Sequence, residues 1–139
     1  MARRKKVRRR KKPATNLYDL AVAWGNLNII TRATLGSGPM EALGGAYDIG
    51  WAKTEGVDSR GSQMLQMTGA SQISLADIMN APSMSFDAIV SNARAQALPA
   101  MFAAISFNVG ASVFKKIMRK PFNQANKLIK PLGLNVRIG

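Results

Sequence analysis

The sequence predicts a mainly α protein: a small helical domain with a long kinked apolar helix, a disordered basic N-terminal arm and a short C-terminal strand. Three observations predict it. Apolar residues recur at helical spacing from Leu17 to Leu27 and, over the longest stretch, from Phe86 to Val113. Residues 1–12 hold nine of the 20 Lys/Arg and no acid, a density of like charge that resists folding until it is neutralised. Strict alternation of apolar and polar residues is confined to Leu132–Ile138, the signature of a strand. With 139 residues the chain is one domain's worth, divided here into an arm (1–13) and a single assembly domain (14–139).

Charge is segregated. Residues 1–12 carry +9, residues 13–114 carry four cations against all seven acids, and residues 115–139 carry seven cations and no acid; +9, −3 and +7 make up the net +13. Two basic ends flanking a slightly acidic middle suit a body that meets a polyanion from its extremities. The chain has no cysteine and no histidine, which removes the usual zinc ligands, disulfides and the common nucleophilic triads. No enzyme activity, cofactor or metal site is expected.

The arm presents Arg3, Arg4, Lys5, Lys6, Arg8, Arg9, Arg10, Lys11 and Lys12, interrupted only by Val7 and ended by Pro13. Extended, twelve residues reach roughly 40 Å, and neutralising six phosphates gives a log–log salt slope near about −5. With no aromatic for stacking, binding of DNA or RNA is expected to be independent of sequence. The competing readings are a solubilising tail and a nuclear-import signal. A secretory leader is disfavoured, because Asp19, Asn26 and Asn28 interrupt the apolar stretch that follows.

Along the body, Asn16 and Asp19 have the form of an N-cap and its acidic N3 partner, opening a helix over about 17–28. Residues 27–35 alternate and are rich in β-branched side chains, fitting either a helix end or a strand. Gly36-Ser37-Gly38-Pro39 reads as a turn into a helix of at most two turns, stopped by Gly44-Gly45. Residues 46–61 read as an irregular surface loop; Asp48, Glu55 and Asp58 lack the spacing of a calcium loop. Short helices are expected at 62–68, closed by Gly69, and at 75–79 behind a Ser74/Asp77 capping box. Met64, Met67 and Met79 join Leu65, Ile73, Leu75 and Ile78 as adaptable core filler.

Pro82 opens the longest element, which Pro99 is expected to kink or divide. From Ala95 to Phe114 twenty residues carry no charge, enough at 1.5 Å each to cross about 30 Å of hydrocarbon. Gln96, Pro99, Ser106, Asn108 and Ser112 weigh against insertion, so a buried core or subunit-interface helix is favoured over a membrane span. Ala100, Ala104, Asn108 and Ser112 form a line of small side chains expected to mark a helix-packing interface. Lys115, Lys116, Arg119 and Lys120 follow, then a helix from Pro121 with an apolar face of Phe122, Ala125, Leu128 and Ile129 opposite Lys127 and Lys130. Such a basic amphipathic helix suits phosphates or an anionic membrane surface. The final strand needs an edge, expected on 27–35, on 46–51 or on a neighbouring copy.

A long Arg/Lys arm (Arg3 to Lys12), a small Ala/Met/Gly-rich body and the lack of catalytic equipment resemble the small capsid and nucleocapsid proteins of viruses. The resemblance implies a virion structural protein that self-assembles, its arm facing inward onto the genome. It departs from jelly-roll capsids, which need about eight strands; a helical subunit, as in filamentous or membrane-containing virions, fits better. The rivals are a small membrane protein spanning near 95–114, with basic cytoplasmic ends, and a ribonucleoprotein component, against which the −3 middle argues. The expected location is a virion, with a host membrane or nucleus as the alternatives.

Overall fold

Residues 14–57 and 63–139 are described by the computed structural model, with only the backbone described for 54–57, 63 and 64. The basic arm, Asp58 and Arg60 lie outside the described residues. The chain is mainly α, as the periodicity predicts.

Helix α1 spans Leu17–Leu35. Asn16 caps it, its side-chain oxygen accepting from the backbone N–H groups of Tyr18 and Asp19 at 3.1 and 3.5 Å. The ambiguous stretch 27–35 is helix. The hydroxyls of Thr31 and Thr34 turn back onto the carbonyls of Leu27 and Ile30, so these β-branched residues leave no polar group facing outward. Gly36 ends the helix at φ 75°, a left-handed position where any Cβ would also strike the Ser71 carbonyl.

Helix α2 (Pro39–Gly44) has the expected length, and the Glu41 carboxylate accepts from the Gly38 N–H at 2.9 Å. Helix α3 (Leu75–Asn80) follows the expected Ser74/Asp77 box. Between them the sequence reading fails. The expected loop 46–61 contains strand β2 (Gly50–Val57), and the expected helix 62–68 is strand β3 (Gln63–Thr68); the two form an antiparallel hairpin pairing Trp51 with Met67 and Lys53 with Leu65. Gln, Met and Leu favour helix in isolation, but the ladder to Trp51–Lys53 overrides that weak preference. Of the expected core residues here, Ile73 is buried and Met67 and Ile78 pack against it, whereas Leu65, Leu75 and Met79 are exposed.

The core is small: Ile49, Ile73 and Ala88 are buried, with Leu35, Met84 and Ile89 among the residues packed round them. It lies at the end of the molecule where α1 finishes and the longest helix begins. We call this end the head.

Helix α4 runs from Pro82 to Ile117 without division at Pro99. One missing N–H in a 36-residue helix costs one rung, and the flanking turns carry on. Tyr18 meets Ala111, and Asn26 meets Asn108, so α1 and α4 lie antiparallel. Gly25 permits the approach: a Cβ there would overlap the Phe107 ring.

Helix α5 spans Arg119–Ile129, beginning two residues before Pro121, and a 3-10 turn follows at Lys130–Leu132. Of its expected apolar face, Phe122, Ala125 and Ile129 are half-buried but Leu128 is exposed. The expected strand over 132–138 contracts to β4 (Val136–Arg137), paired in parallel with β1 (Thr15–Asn16) of the same chain. Within the chain, neither 27–35 nor 46–51 serves as its edge. The ladder is short because Asn16 is already the cap of α1, and its partner strand stops there.

Candidate nucleic-acid interface

The β1–β4 pairing decides where the charge goes. Asn16 accepts from the Gly139 N–H at 3.0 Å, while Asn126 accepts from Ile138 N–H and donates to its carbonyl at 2.6 and 2.7 Å. The final residues are thereby fastened beside Ala14, the point from which the chain continues back to the arm. Tyr18, Phe114 and Phe122 pack as a three-ring cluster beneath, with centroids 5.6–6.3 Å apart, each pair worth about 1 kcal/mol beyond its burial. The cationic segment 115–139 thus belongs to the end of the α1–α4 pair opposite the head, where the described chain begins.

Among the predicted binding residues of this end, Lys116, Arg119, Lys120, Lys127 and Lys130 are exposed. Lys115 differs: its ammonium lies 2.8 Å from Asp19 and 5.5 Å above the centre of the Tyr18 ring. It holds α4 to α1 and is only secondarily available to phosphate. Lys115, Lys116 and Arg119 line a cleft of about 410 Å³ with Ser112, Phe122, Asn123 and Gly139, a cationic recess with an amide donor at Asn123, suited to an anionic oxygen cluster. Arg137, which the sequence reading did not select, is exposed in β4 beside it; only the strand pairing reveals that.

The expected packing line is partly met. Asn108 sits on the α1–α4 seam, where it and Asn26 exchange two amide hydrogen bonds, 3.1 and 2.7 Å, while their remaining N–H groups bond the carbonyls of Val22 and Ala104. Ala100 and Ala104 are half-buried. Ser112 is exposed and bonds back to the Asn108 carbonyl. Phe107, Ala111 and Phe114 carry the remaining contacts to α1 described above, a seam rotated slightly from the small-residue line. Asn26 and Gly25, missed in the sequence, matter because they face α4, which no periodicity in α1 alone could signal.

A second cleft, of about 580 Å³, lies in the head between Glu41, Asp48, Gln72 and Ser74. Beside it Asp77 is fully buried. Burial alone would raise its carboxyl, yet hydrogen bonds from the Ser74 N–H and hydroxyl and from the Asp48 and Ile49 N–H groups at 2.7–3.0 Å hold it below the ordinary carboxylate value. Its role is to clamp a loop. No group of three or more acidic residues that could hold a metal occurs among the described residues.

No protein family, curated protein or solved structure matches this chain.

Proposed function

We propose that this chain is a non-enzymatic virion structural protein, of capsid or nucleocapsid type, that packages nucleic acid without reading its sequence and assembles through its apolar body. The observation that carries the reading is the β1–β4 pairing, which fastens the cationic C-terminal segment, seven cations and no acid over 115–139, beside Thr15–Asn16, just after the cationic residues 1–12 in the sequence. A molecule with a basic end, an apolar waist and an acidic head has the polarity of a shell subunit, cations inward on phosphate and acids outward. Exposed Lys116, Arg119, Lys120, Lys127 and Lys130 extend the arm's phosphate-binding surface rather than form a separate one.

Deleting residues 1–12 tests the proposal. Binding to random-sequence DNA and RNA, followed by fluorescence anisotropy across a salt titration, should lose most of its salt dependence while circular dichroism stays unchanged. Undiminished affinity at low salt overturns the reading.

A further inference from the structure

The waist is the unexplained surface. Helix α4 is long and apolar enough to cross a bilayer, and none of its 18-residue apolar window is buried by the rest of the chain. Phe102, Ile105 and Val109 are 57–69% exposed, and Leu17, Leu20, Trp24 and Leu27 extend the same character along α1. A core helix of a water-soluble domain hides such residues; this one does not.

We propose that α1 and α4 insert together as a two-helix hairpin into a lipid bilayer bearing anionic headgroups, with both basic ends on one side and the acidic head on the other. This deepens the reading above, because the subunits then assemble within a membrane that faces the genome. Four observations carry it.

First, the lengths agree. The uncharged stretch 95–114 rises about 30 Å, the thickness of the hydrocarbon layer, and α1 rises about 28 Å with its charges confined to its end turns, Asp19 paired with Lys115 in the first and Arg32 in the last, where a long side chain reaches the headgroups. Second, polar side chains along the hairpin find their hydrogen-bond partners within it. The amides of Asn26 and Asn108 satisfy one another and two carbonyls, Thr31, Thr34 and Ser112 bond their own helices, and the Tyr18 hydroxyl bonds the Ala111 carbonyl. Water does not demand that economy; hydrocarbon does.

Third, the charge is asymmetric across the hairpin. The connecting segment 33–94 carries six acids against Lys53, Arg60 and Arg94, whereas the segments that precede α1 and follow the uncharged stretch in sequence, 1–12 and 115–139, carry nine and seven cations and no acid, the distribution that fixes orientation by the positive-inside rule. Fourth, the basic end has the dress of a headgroup layer. Exposed Ile117, Leu128, Leu132 and Leu134 alternate with Lys116, Arg119, Lys127 and Lys130 in and beside α5, so apolar side chains dip into the interface while cations meet lipid phosphate.

The test uses the full chain, synthesised in the presence of vesicles of phosphatidylcholine and phosphatidylglycerol. It is expected to float with them and to remain after alkaline carbonate and high-salt washes, which strip proteins held only by charge. Ile105→Asp with Val109→Asp alters exposed waist positions and should shift most of the protein to the wash, with helicity intact; Met40→Asp, at an exposed apolar head position, should leave it bound. In sealed vesicles an impermeant maleimide should label only one of Ala46→Cys and Gln124→Cys, and both in detergent. Release of the natural chain by carbonate, or a lipid-free particle of fixed stoichiometry in analytical ultracentrifugation with the waist between copies, overturns the proposal. Nucleic-acid affinity in detergent is read separately, so failure of insertion is distinguishable from failure of the packaging reading.

Discussion

Asp77 is the side chain on which the head depends most. Its two oxygens accept from four donors supplied by the α3 cap and the loop leading into β2. Asp77→Asn keeps the shape but turns an N–H toward Ser74, and should cost about 2–3 kcal/mol in denaturant unfolding. Its folded pKa lies below the ordinary 3.8. The stabilisation it gives is therefore complete above the unfolded value and is lost as pH falls through the lowered folded value. Midpoints measured from about pH 5 down to pH 2 should fall for the natural chain and fall less for the Asn variant; parallel curves would remove Asp77 as the cause. Ser85 offers the opposite case. Its hydroxyl is fully buried with no hydrogen-bond partner among the described residues, so Ser85→Ala should be neutral or should raise stability by up to about 1 kcal/mol. A loss larger than that would show a partner for the hydroxyl.

At the scale of elements, the α1–α4 seam is the joint that matters. Gly25→Val places a branched side chain where the Phe107 ring already lies, and should separate the helices while leaving the head intact, read as loss of Asn26 and Asn108 amide protection in NMR exchange. In a double-mutant cycle, Asn26→Ala and Asn108→Ala should couple by about 1 kcal/mol, since either change alone strands the other amide. Additive effects would mean that the reciprocal bonds contribute nothing. Elements whose signals are local were legible in the sequence: the Asn16 cap, Pro39 at a helix start, the Ser74/Asp77 box, and the long run from Pro82. Those decided by a distant partner were not. Gln63–Thr68 became a strand because Trp51–Lys53 lay beside it, the helix over 27–35 ends with Leu35 packed on the distant Ile49, Ile73 and Ala88, and the final strand shrank because its partner was a two-residue stretch at the start of the body. The cationic segments were legible as charge, but the return of 115–139 to the start of the body depended on that unforeseen pairing.

For the molecule as a whole, what matters is whether the two cationic segments act as one surface. If they grip the same polyanion, the phosphates neutralised by each contribute to a single salt slope of about −0.9 per contact on duplex DNA. Replacing Lys116, Arg119, Lys120, Lys127 and Lys130 by Gln touches only exposed positions, where substitutions usually change stability by less than about 0.5 kcal/mol. That variant should therefore fold, and should show a slope shallower than the natural chain by about the slope that the chain lacking residues 1–12 retains. Were the arm alone responsible, the Gln variant would keep the full slope and the truncated chain would show almost none. The division of the slope between the two variants thus distinguishes two cationic segments acting together from a tail that binds by itself. The composite reading gives a use to the contacts of Asn16, Asn126 and the three-ring cluster that fasten residues 136–139 beside the start of the body.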